Sequence, residues 1–162
     1  MDRHEYKEMQ EAKFYNRTMR PVYAAYADRY GDHFLTLASS ACLPVSEFHK
    51  LVSEFHKRLD RRLLGRSFYK KPWQDRTQGI MFLEQITTHI HGHAMVRFAV
   101  RKPDAELEDI CRDIWRSVCP GGEVKVQRQG VTSPARYATK EFEDWKHDDL
   151  KQVVMFKDFV SQ

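Results

Sequence analysis

Residues 81–98 read MFLEQITTHIHGHAMVRF, and the centre of that stretch, His89-Ile90-His91-Gly92-His93, governs how the rest of the chain is read. Side chains alternate faces along a strand, so His89, His91 and His93 all project from one side. The flanking Ile90, Met95, Val96 and Phe98 are residues that strands favour or tolerate. Imidazoles two residues apart on a rigid strand form half of a metal site. Just upstream, Ile80-Met81-Phe82-Leu83 reads as the preceding strand and carries Glu84. Antiparallel pairing of residues 80–85 through a short turn near Ile86-Thr87 sets Glu84 opposite His89 and Phe82 opposite His91. Directly opposed residues share a face, with Cβ atoms roughly 5 Å apart. A slip of one residue would turn Glu84 to the other face. Glu84, His89 and His91 are therefore the expected metal ligands. Such a mixed nitrogen and oxygen set suits Mg²⁺ or Mn²⁺ working on a phosphate, and Zn²⁺ also accepts it. His93 shares the face but lies roughly 13 Å beyond His89, too far for one ion to reach both.

Around this centre the chain has the composition of an ordinary folded domain. It has 162 residues, of which 41% are hydrophobic and 31% charged, enough to bury a core and unlike a disordered segment. No apolar run approaches the roughly 20 residues that span a bilayer. The charged opening Met1-Asp2-Arg3-His4-Glu5 leads into no apolar core, so no secretory signal is expected. Cys42, Cys111 and Cys119 are odd in number and lack metal-type spacing, which points to reduced thiols in a cytoplasm. The net charge of +4 is mild, but its distribution is uneven. Residues 50–76 hold nine Lys and Arg against Glu54, Asp60 and Asp75, with Phe68, Tyr69 and Trp73 interleaved. Cations beside aromatics can track a phosphate backbone and stack unpaired bases. A solvated helix face followed by a polar loop has the same composition.

The remaining segments supply an order of elements. Residues 2–28 look helical, with Pro21 dividing them in two. His33-Phe34-Leu35-Thr36-Leu37 reads as a first buried strand. Ser46 is a candidate N-cap for a helix whose Phe48, Leu51, Val52, Phe55, Leu59 and Leu63 share one face, ending at Gly65. Residues 45–50 and 52–57 both read VSEFHK, a seven-residue duplication that keeps the same helix face. After the histidine strand, Pro103-Asp104 opens a second amphipathic helix, and EVKVQRQ from Glu123 alternates like a strand. Ser133-Pro134 begins a third helix running to Trp145, and the tail from Leu150 reads as either strand or short helix. The order is α, then β-α-β-β-α-β, then α. That order matches an α+β, ferredoxin-like split βαβ sheet with helices on one face and an extra N-terminal helical segment. The other face of the central strands is then left for a ligand.

On the last helix, Arg136-Tyr137-Ala138-Thr139-Lys140 puts Tyr137 and Lys140 on one face. A phenol is a weak nucleophile at its free pKa of about 10, and a nearby cation favours its anion. Tyrosine, lysine and metal together form a phosphotransfer set. The string alone is common; with the other pieces it is specific. Phe34-Leu35-Thr36-Leu37, then Glu84 with His89-Ile90-His91-Gly92, then Tyr137-Ala138-Thr139-Lys140, in this order, resemble the three motifs of the HUH endonucleases, in particular the single-tyrosine rolling-circle replication initiators.

The resemblance covers residues 33–145 as a catalytic core, with residues 1–30 a helical extension and 146–162 a tail of one domain spanning 1–162. It implies that His89 and His91 hold a divalent metal (Mg²⁺ or Mn²⁺) with Glu84 as third ligand. Tyr137 would be the nucleophile and Lys140 the motif lysine. It implies nicking and joining of single-stranded DNA at an origin sequence or hairpin through a 5′-phosphotyrosine. The expected setting is a plasmid or phage in a bacterial cytoplasm, with host replication proteins as further partners and no membrane. Departures are the absence of a second nearby tyrosine and of a P-loop, a short Glu84–His89 spacing, and the overlapping pair His91-Gly92-His93. A relaxase or single-tyrosine transposase shares the chemistry, although relaxases place the tyrosine ahead of the histidines. The alternative class is a non-catalytic nucleic-acid-binding module on the same fold. A cupin-like metal protein wants a carboxylate shortly after the histidines, where Met95 and Val96 stand.

Overall fold

The computed structural model describes residues 1–128, 138–143, 146 and 148–160. A long helix α1 (Arg3–Tyr30) precedes β1 (His33–Ala38), α2 (Val45–Leu64), β2 (Gln78–Glu84), β3 (His91–Arg97), α3 (Asp104–Val118), β4 (Glu123–Arg128) and a short β5 (Val153–Met155). The strands form one sheet in the order β4-β1-β3-β2-β5, with every neighbouring pair antiparallel. β3 sits between β1 and β2, and β4 flanks β1, which is the split βαβ arrangement that the element order implies. β5 adds an edge beyond β2, so the tail contributes a strand after a helical turn at Asp149–Gln152.

The alternation of each strand sorts its residues into two layers. Leu35, Leu37, Met81, Leu83, Ala94 and Val96 point to one side, into a core shared with Phe48, Val52, Phe55 and Leu59 of α2 and Leu107, Cys111 and Trp115 of α3. Trp115 is fully buried and donates its indole N–H to the Ala38 carbonyl at 3.0 Å, so the largest core side chain leaves no polar atom unpaired. Cys42, Cys111 and Cys119 are all free thiols, and burial pushes the Cys111 thiol up to about 12 with Glu108 adding to the effect. Helix α2 begins at Val45 after Pro44, so Ser46 lies inside its first turn rather than at the cap. Its end at Gly65 uses φ 86°, a conformation that side-chain-bearing residues avoid.

The other side of the sheet carries Phe34, Ile80, Phe82 and Met95, and it is partly covered. Met19, Tyr23, Ala24, Ala27 and Tyr30 recur at three- and four-residue steps along α1 and pack on it together with Ala138 and Phe142. This packing explains why Pro21 does not divide the helix: it lies inside a continuous α1, and its ring holds a φ that helices already use. The start of α1 is fixed by a capping box in which Asp2 accepts from the His4 and Glu5 amides while Glu5 accepts from the Asp2 amide.

The basic stretch after α2 is pinned by a buried ion pair. Arg76 donates to Asp60 at 2.9 Å, the Thr77 amide donates to the same carboxylate at 3.0 Å, and His56 contacts the Thr77 carbonyl at 2.8 Å. Part of the charge run is thus interior structure. Among the described residues no helix is long and apolar enough to cross a membrane.

Candidate active site

The strand pair β2–β3 brings Glu84 opposite His91 and Phe82 opposite His93. The expected register, Glu84 opposite His89, is therefore off by two residues. A two-residue slip preserves the face, so Glu84 still shares a side with the histidines. The cause lies in the connection. Gln85 leaves the strand at φ 55°, and its carbonyl accepts from the Thr88 amide at 3.0 Å, closing a turn longer than the one expected at Ile86-Thr87. Ile90 is then wholly buried, and its carbonyl accepts from the Ser39 amide at 3.1 Å. Burying Ile90 costs the strand its first two residues and leaves His89 exposed in the bend, unpaired with Glu84.

Within the strand, Gly92 points to the opposite face, where an added Cβ would lie 2.4 Å from the Met81 sulfur. That space is taken, which explains a glycine between two histidines. His91, at the start of β3, is half-buried, and its Nδ1 is buried with no hydrogen-bond partner among the described residues. His93 is enclosed. Its ring stacks on Phe34 with centroids 5.4 Å apart, Nδ1 meets Thr36 Oγ1 at 3.0 Å, and Nε2 meets Glu84 Oε1 at 2.7 Å.

The second oxygen of Glu84 faces a different segment. Lys140 Nζ approaches Oε2 at 3.2 Å, an ion pair set off the line of a directed hydrogen bond. The 138–143 segment is held for this by its neighbours. Ala138 and Thr139 are buried, Thr139 accepts from Arg20 of α1 at 3.3 Å, and Phe142 packs against Tyr23 and Phe82 with centroids 5.3 and 6.0 Å away. Lys140 opens a 3₁₀ turn (Lys140–Glu143). Burial pushes the Glu84 carboxyl up, but the hydrogen bond and charge of His93, followed by the close ammonium of Lys140, outweigh it and hold the group below its ordinary range. Glu84 is an anion braced by an imidazole and an ammonium.

Four of the sequence-derived positions can thus be placed. Glu84, His91 and Lys140 converge with His93 on one face of the sheet, His89 stays outside in the turn, and Tyr137 lies outside the described residues, next to the buried Ala138 in the chain. Sequence reading gives His93 the lesser role, places Phe34 and Thr36 on the first motif strand without a contact in the site, and does not reach Arg20. The signal for those two contacts is present, since Phe34 and Thr36 alternate onto the histidine face of β1. Among the described residues no group of three or more His, Cys, Asp or Glu is arranged as a metal centre. The donor chemistry nevertheless fits a divalent cation: an orphaned imidazole nitrogen stands on the residue directly across from an anionic carboxylate. Comparison with family models, with curated proteins and with solved structures finds no match for this chain.

Proposed function

We propose that the chain is a metal-dependent nicking and joining enzyme for single-stranded DNA that starts rolling-circle replication of a plasmid or phage in a bacterial cytoplasm. The observation that carries this reading is the Lys140–Glu84 ion pair, because it joins the tyrosine motif to the histidine strands at one place. In this reading the Tyr137 hydroxyl attacks the scissile phosphorus. The phosphorus–O3′ bond breaks, the 3′ oxygen takes up a proton, and the 5′ phosphate stays on the tyrosine. Attack by a 3′ hydroxyl reverses the step and rejoins the strand without ATP. Lys140, three residues after Tyr137 in the chain, would supply an ammonium that favours the charged forms of phenol and phosphate. Mg²⁺ or Mn²⁺, held by Glu84 and His91, would supply charge stabilisation at the phosphoryl oxygens. His93, tied at both nitrogens, orients Glu84.

A second reading draws on the same geometry. A carboxylate whose two oxygens face the protein's own imidazole and ammonium can serve as an internal strut, and the chain would then be a nucleic-acid-binding module without catalysis. Incubation with single-stranded origin-type DNA and Mn²⁺, followed by denaturing electrophoresis, separates the two. A covalent adduct that EDTA abolishes and Tyr137→Phe removes is expected. DNA binding with no adduct in any divalent metal would favour the module.

A further inference from the structure

The last residue of β3 is Arg97, six residues beyond His91, which places it about 20 Å from the Glu84 end of the sheet at roughly 3.3 Å per residue. A cleft of about 660 Å³ opens there. Lys71 and Arg76 from the loop after α2, Arg97, Arg101 and Lys102 from the end of β3 and its connection to α3, and Arg128 from β4 all line it. Asp32 and Asp75 are the acidic lining residues.

Half of these cations are already neutralised. Arg76 is paired with buried Asp60, Lys102 with Glu106 and Arg128 with Asp104. Asp32 is occupied by His33 at 2.7 Å. Lys71, Arg97 and Arg101 remain exposed, without a carboxylate partner among the described residues, and Arg97 bonds only the neutral amide oxygen of Gln78. Three cations therefore stand against the carboxylates of Asp75 and of Asp32, the latter held by His33. They come from separate chain segments, so no single charged helix face explains their convergence.

The cleft also lacks what unpaired bases require. Stacking platforms present open aromatic faces, whereas the aromatic lining residue here, Phe98, is 8% exposed and lies edge-on to His33. Tyr69, an exposed ring, does not line the cleft. Cations without stacking faces suit a phosphate backbone whose bases are turned inward. We infer that this cleft docks the phosphodiester backbone of duplex DNA. The separation of about 20 Å from Glu84 corresponds to roughly six base-pair rises of about 3.4 Å. A duplex seated there could flank a strand reaching the Glu84 end. The cleft's preference rests on its own charge; only that flanking arrangement depends on the proposed nicking activity.

The test is binding of a labelled duplex two helical turns long, and of its single strand, across a salt series in EDTA. The proteins are the wild type, the triple variant Lys71→Ala/Arg97→Ala/Arg101→Ala, and a charge-matched control, Lys50→Ala/Lys57→Ala/Lys157→Ala. All six positions are exposed, and unchanged melting temperatures check the fold. The triple variant should lose duplex affinity at least about tenfold, with the salt slope reduced by about 2.7. Its single-strand binding should change less, and the control should bind duplex nearly as the wild type does. Unchanged duplex binding in the triple variant, or an equal loss in the control, overturns the inference. Equal loss of single-strand and duplex binding overturns the duplex assignment. Saturable binding of inorganic pyrophosphate that the triple variant abolishes, with duplex binding intact, would make the cleft a small-anion site and overturn it as well. Because EDTA removes the need for nicking, failure of the wild type to form a covalent adduct leaves this result readable.

Discussion

His93→Ala separates the structural roles of the histidines most sharply. The ring fills the space between β1 and β2, stacked on Phe34 and joined to Thr36 Oγ1 and Glu84 Oε1. Truncation orphans the buried Glu84 Oε1 and the half-buried Thr36 Oγ1, each costing up to about 1–3 kcal/mol, and loses a ring contact of about 0.5–1.5 kcal/mol. The terms add to about 2.5–7.5 kcal/mol, and about 3–5 kcal/mol is expected because Glu84 keeps Lys140, Thr36 is half-buried and relaxation recovers part of the rest. For a chain of this size that corresponds to a fall in melting temperature of roughly 6–20 °C. His89 stands exposed in the turn, so His89→Ala should stay within about 0.5 kcal/mol of the wild type. Thermal and urea denaturation, read by circular dichroism at neutral pH, measure both. His93→Gln, which can still donate and accept, should recover part of the loss. A His93→Ala protein melting within about 2 °C of the wild type, or a His89→Ala protein equally damaged, would refute the Thr36–His93–Glu84 bracing.

Other outcomes follow from the same geometry. His56 is pushed below the ordinary imidazole range, about 6.5, first by burial, with Asp60 and the Thr77 carbonyl opposing and Arg76 assisting. The unfolded chain therefore takes up a proton near pH 6.5 that the folded chain refuses. Stability at His56 is present above that pH and lost as pH falls below it, and His56→Gln should flatten this part of a urea-stability profile between pH 7 and 5.5. Asp60→Asn leaves the Arg76 guanidinium buried without its ion partner and should cost about 3–5 kcal/mol in urea denaturation; a loss under 1 kcal/mol would mean that Arg76 swings out to water. Lys140→Ala removes a competing cation from Glu84, so it should lower the Mn²⁺ concentration needed for thermal stabilisation while slowing cleavage more than it weakens DNA binding. Weaker Mn²⁺ stabilisation in that variant would remove the argument that lysine and metal share the carboxylate.

What could be read in the sequence, and what could not, follows from symmetry in the strand. A period of two puts Glu84, His91 and His93 on one face whether the hairpin pairs Glu84 with His89 or with His91, so that face is legible in the sequence and the register, with His89's place in the turn, is not. The turn decides between them, through Gln85 at positive φ and the burial of Ile90, and neither leaves a mark in an alternation pattern. Local rules failed where packing outweighed them. Pro21 stays inside α1 because Tyr23, Ala24 and Ala27 are held on the sheet, and Arg76 reads as one member of a solvated run because Asp60 lies sixteen residues away in sequence. The register also divides roles that the motif leaves equal. His93, deep between two strands, has both nitrogens engaged and acts as a brace. His91, at the strand's open end, keeps a buried nitrogen unspent beside an anionic carboxylate, which makes it the histidine best placed to take a metal.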